Sequence, residues 1–305
     1  MALLLFCAAY VLPGVFGRDP WKNADVSAFG HMAALAEGRA PWFAPALAGL
    51  PTDGALVPYW LGALFIKALP WLDAALAARI PFAMLLALVL MLTWYATYHL
   101  ARTEAAQPLA FAFGGEATPV DYARAVADGA LLAVVATLGL LQLGHETTPE
   151  LVQLVGAALF LYALAAAPFR KGRSRAAALL ALPMMAASGA PAMALVLALV
   201  GTAICAKSTY AQVRGTAWWI AGAGVASVAV GVALNAWGWR VADRQPAPLQ
   251  HAAAARVVWL AGPAAGAVDA VALARPPAAP AHLRALGITL TAIFGCWRWA
   301  VPTAR

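Results

Sequence analysis

Apolar runs of about 15 to 22 residues, separated by short polar clusters, recur along almost the whole chain. Runs of that length match helices crossing a hydrocarbon layer of roughly 30 Å. They predict crossings near 2–16, 77–98, 129–143, 151–168, 176–187, 191–206, 216–236, 256–273 and 285–300. The expected fold is therefore all-α, a polytopic transmembrane helix bundle of about nine spans. The segment 58–70 is apolar but short and closed by Pro70, so it is expected to lie in the interface as a helix. Segment 101–128 reads as a connector with a short helix at 119–127. The first run has no basic stretch ahead of it and no small-residue cleavage site before Arg18, which makes it an uncleaved span.

The exception to this pattern is the hydrophilic stretch Gly17 to Tyr59, part of a first extracytoplasmic loop over 17–76. The chain has 13 acidic residues, and four of them (Asp19, Asp25, Glu37 and Asp53) fall in this stretch with Arg18, Lys22 and Arg39. Asn23 is placed to cap a helix beginning at Ala24, along which Phe29, Met32, Ala33 and Ala36 form an apolar stripe. At about 100° per residue, Asp25 continues that stripe and turns its carboxylate toward whatever the stripe packs on. An acid in a first helical turn also offsets the helix dipole, and this plainer reading stands beside a functional one. Asp53, in a Thr-Asp-Gly turn, has the alternative of a turn former, and His145 with Glu146 that of a polar turn.

Composition agrees with the membrane reading, with 64% apolar and 11% charged residues. The charge of +7 is scattered among spans and lacks a basic stripe with interleaved aromatics, so membrane lipids and not nucleic acid are the expected partners. Lys and Arg concentrate at Arg170, Lys171, Arg173 and Arg175, at Lys207 with Arg214, and at Arg102 with Arg124, three connections expected on the cytoplasmic side. Cys7, Cys205 and Cys296 lie in apolar runs, and no His, Cys or Asp cluster has metal-ligand spacing. No cofactor is indicated, although a divalent cation stays open. No phosphate-binding Gly-rich loop and no GxSxG is present.

At GRDPWKNADVSAFG, PWFAPALAGLP and TDGALVPYWLGALF the chain resembles the GT-C superfamily of membrane glycosyltransferases, in particular bacterial relatives of aminoarabinose transferase and protein O-mannosyltransferase. The later GHETTPE turn and the RVVWLAGPAAGAV span are similar in style. The resemblance implies one transmembrane domain over 1–305 in a bacterial inner membrane. It also implies transfer of a sugar from a polyprenyl-phosphate donor to a lipid, glycan or protein by a single inverting displacement. On that reading Asp25 and Asp53 are the catalytic carboxylates, while Arg18, Lys22, Arg79, Tyr59, His145 and Glu146 bind substrate or phosphate. Two departures stand out: the first member of the family's acidic pair is Ala24, and no soluble domain follows the last span. They leave a short member, a fragment and a degenerate copy as alternatives, and with them a non-catalytic lipid-binding protein. A transporter built around Asp269 is the more distant option.

Overall fold

The computed structural model describes residues 2–16, 19–20, 23–47, 50–52, 55–108, 117–137, 140 and 144–237. The expected spans 256–273 and 285–300 lie outside the described residues, as do Asp53, Arg18, Lys22 and Asp269. Nine α-helices are described: α1 (Ala2–Val11), α2 (Asn23–Ala36), α3 (Val57–Ala68), α4 (Ala74–Ala101), α5 (Pro119–Val135), α6 (Pro149–Ala166), α7 (Lys171–Ala187), α8 (Pro191–Ala206) and α9 (Ala211–Ala233). A two-residue antiparallel pair, β1 (Ala46–Leu47) with β2 (Leu50–Pro51), interrupts an otherwise helical fold.

Among the described residues, three helices, α4, α6 and α9, are long and apolar enough to cross a membrane. Their outer faces stay apolar where no protein covers them: Met84 on α4 is 61% exposed, and Trp218 and Val225 on α9 are 83% and 72% exposed. In water such surface is unfavourable by roughly 25 cal/mol per Å2, whereas lipid removes the penalty. α3 spans only about 18 Å at 1.5 Å per residue, too short to cross.

The described residues fall into two compact units, one within 1–92 and 142–237 and the other within 93–141. In the first, α6 packs along α7, α7 and α8 pack along α9, and α2 packs on α3. Close approach depends on small residues: Gly201 on α8 faces the Phe160 ring of α6, and Gly62 on α3 faces Met32 of α2. The turn after α7 ties several elements together. Ala187 O accepts from Leu56 N at 2.8 Å, and Ser188 O accepts from Gln153 Nε2 of α6 at 2.7 Å. α4 begins where Asp73 caps it, its Oδ2 accepting from the N–H groups of Ala75 and Leu76 at 3.0 and 3.2 Å.

In the second unit the sequence expectation needs correction. In place of a short helix at 119–127 and a span at 129–143 there is one helix, α5, that ends at Val135. Thr118 caps it by accepting from Asp121 N, Pro119 occupies the first turn, and nothing between 127 and 129 breaks it. Asp128, which falls on this helix, accepts from Trp94 Nε1 at 2.7 Å. Helix α7 likewise starts earlier than the expected span 176–187, drawing Lys171, Arg173 and Arg175 out of a connection and onto helical turns.

The packing generates a contrast between two glycines. A Cβ at Gly201 would lie 2.4 Å from Cζ of the buried Phe160, so Gly201→Ala should lower stability by about 1–3 kcal/mol. At Gly222 of α9 nothing lies within 4 Å, and Gly222→Ala should be neutral or slightly stabilising through helix propensity. Thermal melts of the two variants in the same detergent check the ordering.

Candidate functional site

Asp25 sits in the first turn of α2 and is 1% exposed. The helix buries Asp25, Ala28, Met32 and Leu35, so of the expected stripe Met32 faces inward while Phe29, Ala33 and Ala36 are only partly covered. The carboxylate still falls on the inner side, because positions 25, 28, 32 and 35 recur at helical spacing.

Two segments distant in sequence meet this carboxylate. Thr147, in the turn before α6, donates to Oδ1 twice, from its N–H at 2.9 Å and from its hydroxyl at 2.6 Å. Arg79, in the second turn of α4 and 4% exposed, places Nη2 3.9 Å from Oδ2. Helices α2 and α4 and the α6 entry are thus held at one buried charge pair. Removing two ions from water costs several kcal/mol each, and close opposite charge with direct hydrogen bonds offsets that cost.

Beside the pair is a small cleft, a water-sized crevice of about 10 Å3, lined by Gly14, Val15, Arg79, Phe82, Ala83, Gly144 and His145. Arg79 therefore faces both the carboxylate and the cleft. At the same crevice His145 Nε2 lies 3.1 Å from the Tyr10 carbonyl oxygen of α1. A carbonyl only accepts, so this nitrogen carries the proton and donates. The ring leans on Tyr10, with centroids 5.8 Å apart, and fills the space that a side chain at Gly14 would occupy.

Of the residues expected from the sequence, Asp25 and Arg79 come together, and Arg79 and His145 share the cleft. Glu146 is buried in the same turn, between His145 and Thr147. Tyr59 lies apart, its ring 5.0 Å from that of His31 in the α2–α3 packing. Arg39 hydrogen-bonds Glu37 in an exposed turn after α2 and holds that carboxyl below its usual range. Thr147 is the residue that sequence reasoning missed. The only signal was its place in the polar turn HETTPE.

Comparison with known proteins gave no match to a family model, to a curated protein or to a solved structure.

The charge pair generates a stability ordering. Asp25→Ala strips the buried guanidinium of this countercharge and should cost about 3–5 kcal/mol. Thr147→Val removes one hydroxyl donor, keeps the N–H bond, and should cost about 1–3 kcal/mol. Denaturation of the purified variants that gave equal losses would show that the carboxylate is not what holds these three segments.

Proposed function

We propose that this protein is a multi-pass membrane glycosyltransferase of the bacterial inner membrane that takes a polyprenyl-phosphate-linked sugar and passes the sugar to an acceptor at the extracytoplasmic face. The observation that carries the reading is the position of Arg79, a buried cation that lines a cleft and lies 3.9 Å from a buried carboxylate. A leaving lipid phosphate needs fixed positive charge, and an acceptor hydroxyl needs a carboxylate within hydrogen-bond reach to orient it or take its proton. Arg79 serves the first role and Asp25 the second. Thr147 holds the Asp25 carboxylate through Oδ1, and Oδ2 faces Arg79. His145 lines the same crevice as Arg79 and stands beside the phosphate in this scheme. Asp53 is the assisting carboxylate of this scheme, with Arg18, Lys22, Tyr59 and Glu146 as further substrate contacts. About nine spans belong to the same reading, with α1, α8, 256–273 and 285–300 among them.

A second reading is favoured by a specific observation. Asp25 is 1% exposed and does not line the cleft that Arg79 faces. An acid so enclosed fits a structural anchor, and the protein would then bind polyprenyl phosphate without turnover.

Full-length protein in lipid nanodiscs separates the two. With a polyprenyl-phosphate-linked sugar donor, Asp25→Asn should lower transfer by about a hundredfold or more, with donor binding retained. Unchanged transfer in a folded Asp25→Asn preparation overturns the catalytic assignment, and donor binding by the wild type without product establishes the second reading. Gly14→Ala should weaken donor binding in either case, because its Cβ would displace the His145 ring into the cleft.

A further inference from the structure

From Leu151 to Arg240 the chain contains no Asp and no Glu. The same stretch holds Arg170, Lys171, Arg173, Arg175, Lys207 and Arg214, and the short connections of α6 to α7 and of α8 to α9 bring all six to one end of the helices. Contacts across that end confirm the placement. The Arg175 guanidinium of α7 lies 5.4 Å over the Trp219 ring of α9, and the backbone at Gly215 closes on its Nη2. Ser174 Oγ donates to Ala163 O at 2.6 Å, fixing the start of α7 against the end of α6. All of these cations except Arg175, which is half-buried on the indole, are exposed.

This concentration of charge is unfavourable for the fold itself. Lys171, Arg173 and Arg175 occupy the first turns of α7, and Arg214 the first turn of α9, where the helix dipole presents positive charge. The one acid on these four helices, Glu150, lies in the first turn of α6, at the opposite end from the cations. Trp219, Tyr210 and Phe169 stand among the cations and present partly exposed rings. Aromatic rings with Lys and Arg at the ends of apolar helices are the pattern of a headgroup layer. α6 is about 27 Å long, close to one hydrocarbon thickness, and its other end carries Thr147 and the charge pair.

We propose that this acid-free end is a binding surface for anionic phospholipid headgroups, seated at the cytoplasmic leaflet. Lipid phosphates supply the negative charge that this end of the helices lacks, and the rings settle at the boundary with the acyl chains. The surface is remote from the Arg79 cleft and stands whether or not that cleft supports sugar transfer.

The test uses full-length protein in neutral detergent, with phosphatidylglycerol or phosphatidylcholine added. Phosphatidylglycerol should raise the melting temperature well above the effect of phosphatidylcholine, and soluble glycerol phosphate should not. Each cation near an anionic surface is worth about a fivefold preference, so the triple variant Arg173→Gln, Lys207→Gln, Arg214→Gln should bind phosphatidylglycerol about a hundredfold more weakly, with its phosphatidylcholine response unchanged. Should the triple variant fail to fold, the wild-type preference must still fade as salt is raised. Equal responses to the two lipids, an equal effect of glycerol phosphate, an intact preference in the triple variant or a salt-independent preference would each overturn the proposal.

Discussion

A carboxylate removed from water must find compensation, and at Asp25 it comes from two places more than fifty residues away. Thr147 supplies two hydrogen bonds to one oxygen, and Arg79 supplies countercharge to the other. Because these partners stand at the entry to α6 and near the start of α4, satisfying one acid fixes how α2 meets two membrane-length helices. Apolar packing alone would leave that register loose, since stripes of Ala, Leu and Val are interchangeable by sliding one turn. A single buried ion pair with directional bonds removes that degeneracy, the best-attested use of buried charge.

The remainder of the first unit reinforces the arrangement with close backbone approaches. Gly62 admits Met32, Gly201 admits Phe160 and Gly156 admits Met185, so helices rich in alanine approach closely without large interlocking side chains. Such contacts suit a bilayer, where association relies on van der Waals packing and not on expulsion of water. The turn at Ser188 adds polar ties, closing α3 and α6 onto the end of α7.

Apolar run length made the existence of the apolar helices readable from sequence, and α6, α8 and α9 fall close to their expected positions. It was blind to helix starts governed by polar residues. Asp73 begins α4 before the apolar run, Thr118 begins α5 well before the expected crossing, and α7 takes in a basic segment that charge alone assigned to a connection. At the site, the burial of Asp25 followed from helical periodicity, although the stripe was misphased because alanines on both sides of α2 carry little signal. The Thr147 bond was not legible: periodicity describes one element at a time, and this contact joins segments 122 residues apart. Arg79 was singled out as a cation, but its pairing with Asp25 needed the fold.

The near cancellation of charge at Asp25 and Arg79 bears on how the chain enters its membrane. An isolated charge moved through a resting potential gains or loses about 2.3 kcal/mol per 100 mV, and its transfer through hydrocarbon costs more. Joined before transfer, the carboxylate and guanidinium cross as a dipole on which the potential exerts almost no net force. With the acid-free cationic end held at the anionic leaflet, as proposed, the pairing would spare the opposite end two isolated charges in transit.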